Sequence, residues 1–121
     1  MYSLVDLENA DARELDGEEP TLLDIGSDLD TERMRPSVWH YEKGEENAYH
    51  RQGEQEELYV VLEGTVDVTI ERDDRRDVVE LTSGEVLAVP PESWRQLRAA
   101  EESRVLVVGA PNVEDDGILE E

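Results

Sequence analysis

Apolar positions along the chain fall into short alternating or continuous runs, the period of strands rather than of helices. The clearest alternation is Val66, Val68 and Ile70 against Asp67, Thr69 and Glu71. Just before it, Leu58 to Leu62 form a continuous run of strand formers closed by Glu63-Gly64. Further strands are predicted at Thr21–Ile25, at 34–43, and at Val78–Leu81, Val86–Val89, Trp94–Ala99 and Arg104–Gly109. On the 34–43 strand Trp39 and Tyr41 share one parity, Val38 and His40 the other. The separators are polar: GSDLDTE from residue 26, and the Arg72–Arg76 turn with its two aspartates. Gly64 and Gly84 are read as turn residues with positive φ, and Pro90-Pro91 as a strand end. Short, evenly spaced strands with almost no helix predict an all-β fold, a small antiparallel β-barrel.

The ends of the chain are less regular. Residues 2–7 carry a short β-like pattern, expected to pair with the barrel edge or a neighbouring subunit. Residues 8–20 are acidic and weakly structured, with about one helical turn before Gly17 and Pro20 stop it. The expected organisation is an N-terminal acidic arm (1–20), one barrel domain (21–112) and a loose acidic tail (113–121). One polar segment stands out against the core run. His50 and Gln52 are two apart, so on an extended segment they face one side, and Glu57 opens the next strand, expected to face them across the ladder.

Composition narrows the classes of function. With 33 acidic residues against 11 basic, the 121-residue chain carries a net charge of -22 at pH 7. Self-repulsion of that size destabilises a compact state at low ionic strength. In molar salt the Debye length falls to about 3 Å and the repulsion is screened. The acidity is therefore read as halophilic, and a phosphate backbone as a partner is excluded by charge. No cysteine is present, which removes disulfide and thiolate chemistry. No basic and apolar leader and no long apolar run appear, so the protein is expected to be cytoplasmic and not membrane-bound.

The spacing Gly44, His50, Gln52, Glu57, Gly64 resembles the first motif of the cupin superfamily, G-x5-H-x-H-x(3,4)-E-x6-G. The stretch GEVLAVPPESWRQLR from Gly84 resembles the second, G-x5-P-x-G-x2-H-x3-N, with Gly84 and Pro90 in register. The resemblance, which spans residues 44–99, implies a small single-domain cupin, a double-stranded β-helix of jelly-roll type. In the family the two histidines and the glutamate of the first motif and the histidine of the second bind a metal. The matching positions here are His50, Gln52, Glu57 and Arg95, so the ligand set is degenerate. Glu92 and Ala99 replace the second motif's glycine and asparagine. An arginine is a permanent cation with no acceptor and cannot ligate.

These residues lead to named expectations. His50, Gln52, Glu57, Arg95 and Tyr59 are the pocket candidates, and His50, Gln52 and Glu57 are weak metal candidates. Arg95 is expected to stand in for the metal by a charge-assisted pair with Glu57, for which both prongs of its fork are available; His40 is a wall or surface residue unless its parity turns it inward. Trp39, Tyr49, Tyr59 and Trp94 are assigned to packing, because the chain has no phenylalanine. The function expected is a barrel holding a small molecule, conceivably an anion gripped by Arg95, with no metal or a weakly held divalent one. The alternative is a metal-dependent cupin enzyme of dioxygenase or sugar isomerase/epimerase type, and a third reading is a regulatory barrel without turnover. Acid–base catalysis by His50 and Glu57 without metal stays open. By resemblance the chain is expected to form a homodimer.

Overall fold

The computed structural model describes residues 2–10, 12–13 and 20–120, and folds the alternating stretches into two antiparallel sheets. The strands are β1 (Ala12–Arg13), β2 (Thr21–Leu23), β3 (Arg35–Tyr41), β4 (His50–Gln52), β5 (Glu56–Glu63), β6 (Thr65–Arg72), β7 (Arg75–Thr82), β8 (Val86–Val89), β9 (Arg95–Ala99), β10 (Ser103–Ala110) and β11 (Gly117–Leu119), with one short helix, α1 (Ile25–Leu29). Among the described residues the first sheet runs β1-β2-β3-β10-β5-β8 and the second β11-β4-β9-β6-β7. The expected all-β class holds, but the sheets face each other as an open two-layer jelly roll and do not close into a barrel.

Alternation in the sequence becomes alternation in burial. Val66 and Val68 on β6, Tyr59 and Val61 on β5, Leu97 and Ala99 on β9 and Val105 on β10 all turn inward and are almost fully buried. Each such aliphatic side chain contributes roughly 1.5–3 kcal/mol by leaving water. Gly64 connects β5 to β6 at φ 89°, where a Cβ would run into the Ser103 hydroxyl and the Glu102 carbonyl. Only glycine permits that close approach. Gly84 turns β7 into β8 at φ 89°.

Five local expectations are corrected. Residues 2–7 contain no strand: Asp6 caps a 3-10 turn at Leu7–Asn9, and Tyr2 and Leu4 are exposed. The pairing that was expected of them falls on Ala12–Arg13, which pair with Leu22–Leu23. The strand predicted to Ile25 stops at Leu23, because Asp24 caps α1 by accepting from the Ser27 amide and hydroxyl. That helix lies on β3, where Ile25 and Val38 are buried away from the central core. The tail expected to be loose contributes β11, antiparallel to β4, with Leu119 opposite His50 and Gly117 opposite Gln52. Lastly, Tyr49 and Trp94 are not core residues: they stack on each other, ring centroids 5.6 Å apart, on the outward side of the second sheet.

Candidate functional site

A cavity of about 430 Å³ opens between the sheets. His50 and Gln52 of β4 form one wall and Glu57 and Tyr59 of β5 the other. Since β4 and β5 belong to different sheets, Glu57 meets His50 across the interior and not across a ladder as expected. Within its own sheet His50 is directly paired with Arg95. Trp39 and Tyr41 line the same space, so the aromatic parity of β3 points inward, while His40 points outward to Glu102. Among the lining residues that the sequence did not single out, Asp115, Gly117 and Leu119 are brought to the mouth by β11 and the turn before it.

Strand β4 is three residues long and owes its place to its flanks. On the outer side Arg51 lies over Trp94, Trp94 over Tyr49, and Tyr49 under Arg76, at 5.6, 5.6 and 4.6 Å. The Tyr49 hydroxyl donates to Glu71. Beyond the strand, the Asp116 carboxylate accepts from the Glu54 and Gln55 amides, and its carbonyl from the Gly53 amide. These contacts fix both ends of the segment that presents His50 and Gln52.

Arg95 is fully buried. Its Nη2 donates to Glu57 Oε1 at 2.8 Å, and its Nε to the Tyr59 hydroxyl at 3.2 Å. Nη1 faces the carbonyls of Pro90, Pro91 and Ser93, the last at 2.7 Å. Two prolines in succession remove two amide donors from that turn, so it offers the guanidinium acceptors. The expected Glu57 pair is therefore present, through one prong of the fork. Tyr59 completes it by donating to the same Glu57 oxygen at 2.6 Å.

Burial alone would raise the Glu57 pKa. The nearby His50 ring, the Tyr59 hydroxyl, the Arg95 charge and the Gln52 amide outweigh it and hold the carboxyl at about 2. The same burial, reinforced by Glu57, pushes the Tyr59 and Tyr41 phenols up. His50 donates from Nδ1 to the Ala48 carbonyl at 2.9 Å, since a carbonyl can only accept. Its Nε2 stands 3.7 Å from Glu57 Oε1, beyond hydrogen-bond reach. The Gln52 side-chain oxygen is buried with no partner among the described residues.

The residues at the expected ligand positions do not fit a divalent metal. An ion bound to Glu57 would sit beside a buried guanidinium that already holds the ligating oxygen. A second grouping with metal-ligand spacing, His40, Glu42 and Glu102, is half-buried to exposed and lies away from the cavity.

Over residues 37–109 the sequence matches the cupin domain family, and the chain belongs to it. Solved structures agree on the fold. Oxalate decarboxylase from Bacillus subtilis superposes with a TM-score of 0.79 at 16% identity, over 95% of this chain but 31% of that one. KdgF from Halomonas sp. gives 0.77 at 16%, over 95% and 98% of the two chains. An RmlC-like cupin from Shewanella frigidimarina gives 0.75 at 18%, over 95% and 98%. The chain thus spans about a third of the decarboxylase, and at these identities the likeness is one of fold. No functionally curated protein matches the sequence.

Proposed function

We propose that the protein is a small-molecule-binding cupin whose cavity works without a metal, the buried Arg95 supplying the positive charge beside Glu57. The observation that carries this reading is the pairing of an open 430 Å³ cavity with a fully buried Arg95–Glu57–Tyr59 cluster on its wall. The site residues are His50, Gln52, Glu57 and Tyr59, with Trp39 and Tyr41 as apolar walls and Arg95 as the group behind them. A carboxyl held at about 2 is a poor proton acceptor near neutrality, which counts against Glu57 as a general base. The expected anionic ligand is also disfavoured, because Arg95 directs its donors at protein oxygens and does not line the cavity. Metal analysis of protein purified in high salt, without chelator or histidine tag, tests the reading. Substoichiometric metal is expected, and one transition-metal ion per chain would overturn it in favour of the metalloenzyme alternative.

We further propose that the chain pairs with a second copy through the outer face of the first sheet. Leu58, Val60 and Leu62 on β5 adjoin Leu106 and Val108 on β10 and Val86 on β8, an apolar strip in a chain of charge -22. Leu62 and Val86 are 39% and 57% exposed. Arg104 stands at one end of the strip and Glu56 at the other, so a two-fold axis across it sets opposite charges together. Light scattering in molar salt should give a dimer, and Leu62→Lys a monomer; a monomeric parent would refute the pairing. Screening of the net charge at high salt makes that the working condition of the protein.

A further inference from the structure

We propose that the cavity takes a small organic cation, an amine-bearing molecule whose N–H groups reach the Gln52 side-chain oxygen while its apolar part lies against Trp39 and Tyr41. This deepens, and rests on, the reading of the cavity as a binding site.

The wall has spent its donors, and the Gln52 side-chain oxygen is left over as an acceptor. Arg95 gives its N–H groups to Tyr59, Glu57 and the 90–93 turn, and the Tyr59 hydroxyl gives its proton to Glu57. His50 donates from Nδ1 to the Ala48 carbonyl and turns Nε2 toward the Glu57 carboxylate. Glu57 Oε1, 3.7 Å from His50 Nε2, is already taken by the Arg95 and Tyr59 donors. Gln52, itself 7% exposed, adds a buried oxygen without a partner on the same wall, close under Gly117. An unpaired buried acceptor is costly, and a ligand that donates to it removes the cost.

Charge decides between a donor that is neutral and one that is positive. Asp115 adds a carboxylate at the mouth, and the chain as a whole carries -22. A potential of that sign concentrates cations and repels anions. The apolar part of the lining is aromatic, with Trp39, Tyr41 and Tyr59 presenting rings to the space. Aromatic faces attract a desolvated ammonium, which they do not do for an alcohol or a carboxylate.

Calorimetric titration at moderate ionic strength with benzylamine, benzyl alcohol and benzoate separates the classes, since the three share a ring and differ in the head group. Saturable binding of benzylamine, tighter than that of the alcohol, with no binding of benzoate, is the expected result. Gln52→Leu, a substitution of similar size that leaves no polar atom unpaired, should weaken benzylamine by about five- to tenfold while leaving the circular dichroism unchanged. Equal binding of amine and alcohol, or preference for benzoate, overturns the cationic class and leaves the binding site standing. Saturable binding of none of the three overturns both.

Discussion

Glu57 has two sides, and they differ in almost every physical respect. On one, Arg95, Tyr59 and the 90–93 turn form a dry cluster in which charge is matched and donors find acceptors. On the other, His50 and Gln52 face an open cavity with an unbonded ring nitrogen and an orphaned oxygen. The closed side anchors the fold. The open side holds unmet hydrogen-bonding capacity, which a folded chain retains at some cost in stability. One carboxylate therefore separates a structural half of the interior from a binding half, and substitutions on the two sides should act on different measurements.

The largest effect is expected on the closed side. Arg95→Met leaves Glu57 buried without its countercharge, and should cost about 3–5 kcal/mol of unfolding free energy. Adding Glu57→Leu removes the stranded charge and should restore most of it. Urea denaturation of the single and double variants in high salt decides the matter. Additive losses would mean that the two side chains do not act as a pair.

The next effect is in pH. Because the folded Glu57 carboxyl is held near 2 against an ordinary 4.5, its ionised form is stabilised by folding. That stability is fully present above about pH 4.5 and is lost as pH falls through 2. The shift corresponds to about 3 kcal/mol. Stability measured between pH 6 and pH 2 should fall by that order in the parent, and Glu57→Gln should flatten the part of the curve due to this group.

How much of this was legible follows the same division. Strand period and the positive-φ glycines could be read from spacing, and the Arg95–Glu57 pair from the resemblance to the two cupin motifs, which set the two positions face to face across the two sheets. Tyr49 and Trp94 were misassigned to the core because aromatic content says nothing about which face a short strand presents. Here Arg51 and Arg76 gave the two rings partners outside. Asp115, Gly117 and Leu119 were invisible because an acidic tail becomes a strand only when an edge such as β4 is there to receive it. Asp24 was readable as a helix cap, but five residues of helix carry too little periodicity to announce themselves.

Asp116 tests that edge with a smaller effect. Its carboxylate collects the Glu54 and Gln55 amides, tying β11 to the loop after β4. Asp116→Ala should cost about 1–2 kcal/mol, comparable to loss of a capping carboxylate. It should also speed amide exchange at Gly53, Glu54 and Gln55 more than in the β6–β7 hairpin. Uniform acceleration across both regions would show that the latch is not local.

The smallest expected change in stability is the most informative about the open side. Gln52→Leu replaces a buried amide whose oxygen has no partner. Losing the orphaned oxygen offsets losing the amide's contact with Glu57, so stability should change by no more than about 1 kcal/mol. If Arg95→Met on the closed side of Glu57 is costly and this one is free, the two halves are separate in energy as well as in geometry. A loss of several kcal/mol at Gln52 would instead show that its amide's contact with Glu57 outweighs the orphaned oxygen, and the boundary between the halves would move outward by one residue.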